Sequence, residues 1–241
     1  MKLDLAPAPT VEARFTLDRT QLTRGLVLLA AFVGLRYLAG AIWARAFGIG
    51  QYPPRWEFAL LLLGVFLVVS VGLVGFGASR WAGIDLVRLW RGDGRVGRDL
   101  LAAVAGLAAI AIVGGASALA MSKLGLLQMP VAPPSPPSAG SVAGQALGGL
   151  FFGFFIASFS EETLFRGVLQ TGLRSRLPAW AAIALQAALF SVSHVALEPA
   201  ASVGKLLALA GFRFAAGVVL GTLFEVRGSL RAAGIAHGII G

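Results

Sequence analysis

Residues 159–167 read Phe-Ser-Glu-Glu-Thr-Leu-Phe-Arg-Gly, FSEETLFRG in one-letter code. The stretch continues a run of Leu, Phe, Gly and Ala that begins near residue 143 and has the composition of a helix inside lipid. Two adjacent carboxylates, Glu161 and Glu162, and the cation Arg166 are costly in that setting. Ionisable side chains within a bilayer face a cavity or one another. The stretch therefore marks both the fold, a membrane helix, and the place to look for chemistry.

The rest of the chain agrees. Its 241 residues are 57% hydrophobic and 13% charged, with a mean hydropathy of +0.83. Soluble domains are about 45–50% apolar and about 25% charged. There is no cysteine, which excludes a disulfide framework, a thiolate nucleophile and a thiolate metal site. The formal net charge is +9. The basic residues gather between apolar runs, which suits anionic headgroups, and no nucleic-acid partner is expected.

A bilayer core takes about 20 apolar residues as a helix. Runs of that kind lie at 25–44, 58–77, 100–120, 143–166 with an extension to 173, 179–197 and 204–224. A shorter apolar piece covers 230–241. The expected fold is all-α: a polytopic membrane bundle of six full transmembrane helices plus a carboxy-terminal half-span. The first run follows about two dozen polar residues and lacks a small-residue cleavage site, so it is read as a retained helix. Three parts follow: a cytoplasmic tail at 1–24, three helices without motif at 25–142 ending in a proline-rich external loop, and a segment at 143–241 that holds the buried ionisable motifs. Lys2, Arg14, Arg19 and Arg24 in the tail, five arginines between 80 and 98, Arg174 and Arg176, and Arg227 and Arg231 occupy alternate loops. That bias predicts a cytoplasmic amino terminus.

Two loops have their own character. Residues 79–99 mix Trp81, Ile84, Val87, Leu89 and Trp90 with arginines and read as an interfacial segment on the inner leaflet. The segment from Met129 is proline-rich and reads as a stiff linker rather than a recognition motif. The pairs Gly149/Gly153, Gly217/Gly221 and Gly234/Gly238 have the spacing of close helix packing.

Within the spans, Glu161, Glu162, Arg166, His194 and His237 join Arg36 and Arg213 as the ionisable groups, and the two histidines are the only ones in the chain. Residues four apart share a helix face, so Glu162 and Arg166 pair. Glu161 is turned about 100° away, beside the small Ala157 and Ser158, and is read as the carboxylate open to water. At 1.5 Å per residue, Glu161, His194 and His237 lie roughly 15–25 Å deep and meet near mid-membrane. A carboxylate with two imidazoles activates water, the imidazoles serving as donors or metal ligands. The plainer readings are a structural Glu–Arg pair and histidines bonded to backbone carbonyls. Arg36 is read as a structural partner or a snorkelling side chain, and Arg213 as a possible anion contact.

Together these residues resemble the CAAX protease and bacteriocin-processing (Abi) family of membrane proteases. Its EExxxR motif is met by Glu161, Glu162 and Arg166, and its FxxxH motif by Phe190 and His194. Its last motif, a histidine with asparagine or another polar residue four positions on, is met at His237, with Gly241 in the polar place. The resemblance covers about 143–241. It implies an endopeptidase acting on a membrane-associated, prenylated CAAX-type peptide. In it Glu161 activates water, His194 assists, His237 completes the site, and Glu162, Arg166 and Phe190 support it. It leaves open whether the site works without a cofactor or with a divalent metal such as zinc on Glu161, His194 and His237. Without an amide at 241, a water, Ser191 or a backbone N–H would have to support the oxyanion. HExxH, GxSxG and a membrane aspartate pair are absent. The alternatives are a catalytically weakened relative serving as a bacteriocin immunity or scaffold protein, and a transporter with Glu161 as proton carrier.

Overall fold

A computed structural model describes residues 16–47, 64–65, 68–92, 94–125, 150, 153–154, 158–195 and 202–240. Eight helices can be followed in it. They are α1 (Arg19–Phe47), α2 (Val68–Trp81, π-helical), α3 (Leu86–Arg91), α4 (Val96–Lys123), α6 (Ala179–Val195), α7 (Val203–Arg227) and α8 (Leu230–Ile240). The eighth, α5, is one continuous helix built from Phe159–Glu161, a π-helical Glu162–Gln170 and Thr171–Arg174. No strand occurs among the described residues.

The helix ends follow local chemistry. Before α1, Asp18 Oδ1 accepts from the Gln21 amide (2.8 Å) and Gln21 Oε1 accepts from the Asp18 amide (3.1 Å), a reciprocal cap that satisfies two otherwise orphaned donors. Ser202 caps α7 by accepting from the Lys205 amide, and Gly228, left-handed at φ 59°, ends it and turns the chain into α8.

Arg19–Ala39, Val96–Lys123 and Val203–Arg227 are long and apolar enough to cross a membrane. Of the six full spans expected, these three are found among the described residues. Ala179–Val195 has 17 residues, about 26 Å of helix at 1.5 Å per residue, somewhat less than the roughly 30 Å bilayer core. The run at 58–77 is described as helix from Val68 onward. Most of 143–157, the proline-rich linker and Gly241 lie outside the described residues.

Helix α5 runs through the centre, with every residue from Ser160 to Gly172 buried. Helix α1 lies along it so closely that a Cβ on Gly25 would fall 2.5 Å from Val168, and one on Gly172 would fall 2.3 Å from Leu22. Gly217 and Gly221 do pack as their spacing predicts, against Ala187 and against Gln170 and Gln186. Their exposed carbonyls also accept side-chain bonds, Gln186 Nε2 to Gly217 (2.9 Å) and Gln170 Nε2 to Gly221 (3.0 Å). Gly234 and Gly238 admit Trp90 and Phe154.

The segment expected to lie on the membrane surface is instead partly tucked into the bundle. Ala82, Ile84 and Leu89 are buried, and Leu89 fills the space left by Gly167. The Trp90 indole stacks on Phe159 (5.7 Å) and donates to Thr163 Oγ1 (3.1 Å). Trp81, Val87 and Val96 keep an outward face. The basic loops meet at one end of the molecule. Arg24 donates to the Trp81 carbonyl, Arg231 to the Arg91 carbonyl, Arg174 pairs with Glu225, and the fully buried Asp99 pairs with Arg227 and Arg231.

Candidate active site

Three elements bring the predicted side chains together. Helix α5 carries Glu161 and Glu162, the last turn of α6 carries His194, and α8 carries His237. Glu161 Oε2 lies 3.3 Å from His194 Nε2 and 3.6 Å from His237 Nε2. The adjacent Glu162 turns the other way. Its Oε1 accepts from Arg166 Nη1 at 2.9 Å and meets His237 Nδ1 at 2.6 Å. The four-residue pair read from the sequence is thus present, with a second duty: the same oxygen fixes the ring of His237.

The partners assign the ring protons. His194 Nδ1 sits 2.8 Å from the Phe190 carbonyl, and His237 Nδ1 sits on a carboxylate. Both partners only accept, so each Nδ1 carries a hydrogen, and each ring turns its Nε2 toward Glu161. Glu161 Oε2 is buried and accepts no hydrogen bond among the described residues. Glu161 Oε2 and the two Nε2 atoms thus face one another at one point between three helices.

Phe190 forms the wall of the site. Its ring centroid is 4.4 Å from that of His194 and 5.8 Å from that of His237, and the Arg166 guanidinium lies 4.5 Å from it. Arg166 is fully buried, held between Glu162, the Gly217 carbonyl and this ring. Ser158, read as a small neighbour of Glu161, and Ser191, read as a stand-in oxyanion support, are both turned elsewhere. Ser158 donates to the Gly234 carbonyl (2.7 Å) and Ser191 to the Ala210 carbonyl (2.7 Å), so Ser191 is not aimed at the reacting centre. Ala157 lies outside the described residues.

Arg36, read from sequence as a structural partner or a snorkelling side chain, is paired inside the bundle. Its Nη1 donates to Glu161 Oε1 at 2.5 Å and approaches His194 Nε2 at 3.5 Å. The neighbouring Tyr37 donates to the Ser193 carbonyl (3.3 Å), tying α1 to the same turn of α6. The available signal was a cation in an otherwise apolar span; its partner, 125 residues away, is not visible from spacing.

The metal expectation meets an obstacle here. Among the described residues no group of three or more His, Asp or Glu side chains is disposed to hold a metal ion. The cation already lying on Glu161 and beside His194 is the Arg36 guanidinium. Zinc on Glu161, His194 and His237 does not fit that arrangement.

Beside the site, an apolar cavity of about 770 Å³ is lined by Val71, Trp90, Phe154, Phe159 and Ile235, among others, with Ser158 and Gly234 at its wall.

A buried carboxylate faced by two imidazoles thus lies inside a helical membrane protein with three helices long enough to span a bilayer. Residues 143–241 match the family model described as type II CAAX prenyl endopeptidase Rce1-like, so this segment of the chain is similar to the CAAX protease family. No curated protein and no solved structure matches the chain.

Proposed function

We propose that the protein is an intramembrane endopeptidase that hydrolyses a peptide bond of a membrane-associated, prenylated CAAX-type substrate with a water activated by Glu161. The observation that carries this reading is the approach of Glu161 Oε2 to the Nε2 atoms of both histidines. Glu161 takes a proton from the water as its oxygen attacks the carbonyl carbon. The proton then passes to the leaving amine as the C–N bond breaks. His194 and His237 orient the water through Nε2, and Glu162 with Arg166 keeps His237 in register. The apolar cavity beside α5 suits the hydrocarbon chain of a lipidated peptide.

The test is cleavage of a peptide panel, prenylated and unprenylated, by protein purified in nanodiscs. Wild type is expected to cut a prenylated peptide. Glu161→Gln keeps shape and loses the base, so it is expected to be inactive while still folded. Exhaustive dialysis against a chelator is expected to leave turnover unchanged, because the cation on Glu161 is a side chain. No cleavage of any peptide by wild type, or full activity in Glu161→Gln, would sink the reading; loss of turnover on chelation, restored by metal, would sink its metal-free form.

A further inference from the structure

Arg36 stands outside the segment that matches the family, on a helix carrying no motif, yet it touches the central carboxylate. Its delivery is built into α1. Leu22, Gly25, Leu29, Val33 and Arg36 follow each other at three- and four-residue steps, so they form one stripe. Leu22 and Gly25 meet Gly172 and Val168 of α5, and Leu29 and Val33 pack on Phe165, Leu169 and Phe190. Arg36 is the next residue of that stripe and arrives at Glu161.

The two arginines near the site differ in a telling way. Arg166 is enclosed, with no exposure of its side chain, as a structural cation in a bundle should be. Arg36 keeps 21% of its side chain exposed while Glu161 keeps 4%. Its contacts to Glu161 and His194 both run through Nη1. A guanidinium carries five N–H donors in a rigid fork, so one donor engages the carboxylate while others remain for a second oxygen. The chain also has glycine at 241, which offers no side-chain donor there.

We infer that Arg36 is a further catalytic residue, whose guanidinium donates to the carbonyl oxygen of the scissile bond and stabilises the oxyanion formed when water adds. The inference rests on the endopeptidase reading above. In the step, the water oxygen bonds to the carbonyl carbon, the C=O π pair moves onto oxygen, and one water proton passes to Glu161. Arg36 keeps its protons throughout and supplies charge and hydrogen bonds. On collapse the C–N bond breaks and Glu161 returns the proton to the amine.

The experiment compares wild type, Arg36→Met and Arg36→Lys in nanodiscs, with two readouts. Loss of one well-placed oxyanion donor lowers kcat by about 10²–10³-fold, and KM is expected to change little. Guanidinium salt at non-denaturing concentration is expected to restore part of the Arg36→Met loss. The second readout is binding of a substrate peptide bearing a phosphonate at the scissile position, a tetrahedral anion, expected to weaken by at least about tenfold in both variants. Thermal midpoints check that each variant is folded, and Arg36→Lys carries the test where Arg36→Met does not fold. Unchanged kcat in a folded variant, or phosphonate binding equal to wild type, overturns the inference. Absence of cleavage by wild type overturns the endopeptidase reading instead, and the phosphonate comparison then decides Arg36 separately.

Discussion

At the scale of single residues, two neighbouring glutamates do different work because the helix turns them apart. Glu161 faces the two imidazoles and Arg36, whereas Glu162 faces Arg166 and the far nitrogen of His237. Glu162→Gln therefore removes two things at once. Arg166, with no exposed side-chain surface, loses its ionic partner, and stripping one member from a buried pair costs about 3–5 kcal/mol. His237 also loses the acceptor that fixes its Nδ1 hydrogen. Thermal denaturation in detergent is expected to show a fall in midpoint far larger for Glu162→Gln than for Glu161→Gln, with partial turnover left in any folded fraction. Equal destabilisation of the two variants would refute this division.

Among the elements, α1 matters most for what the motif segment cannot supply. Its contact with α5 depends on two glycines, one on each helix, that let the backbones approach. Gly25→Leu puts a branched side chain where a Cβ alone already falls 2.5 Å from Val168. Overpacking of this kind costs about 1–3 kcal/mol, and relief by tilting α1 would carry Arg36 off Glu161. Turnover per folded molecule is expected to fall along with thermal stability. A variant that loses stability yet keeps wild-type turnover per folded molecule would separate α1 packing from the site. The π-helical stretch Glu162–Gln170 fits the same picture. Widened turns are frequent at functional sites, and here the stretch begins at the two glutamates.

For the whole molecule, the clasp of Asp99 with Arg227 and Arg231, the Arg24 contact to Trp81 and the Arg174–Glu225 pair put the basic loops at one end. On the positive-inside bias, that end is expected to face the cytoplasm. Because the chain has no cysteine, single substitutions report topology on a clean background. Gly97→Cys and Arg176→Cys, both exposed, are expected to react with a membrane-impermeant maleimide only when the cytoplasmic face is open. Leu124→Cys and Lys205→Cys, exposed near the opposite helix ends, are expected to react from the other face. Labelling of Gly97→Cys and Arg176→Cys from different faces would break the shared-end arrangement.

Composition and hydrophobic run length were enough to determine an all-helical membrane protein, since lipid allows the backbone few other ways to satisfy its hydrogen bonds. Four-residue spacing was enough for the Glu162–Arg166 pair, because one helix fixes both partners. The scarcity of ionisable groups in apolar runs singled out Glu161, His194 and His237. Tertiary structure alone decided that Glu161 carries Arg36, that His237 hangs on Glu162, that Ser158 and Ser191 turn to carbonyls, and that the Trp90 segment folds under α5. Each of these joins residues on different helices. Such partners are set by the order and tilt in which helices pack around glycine contacts, and periodicity within one helix carries no record of that.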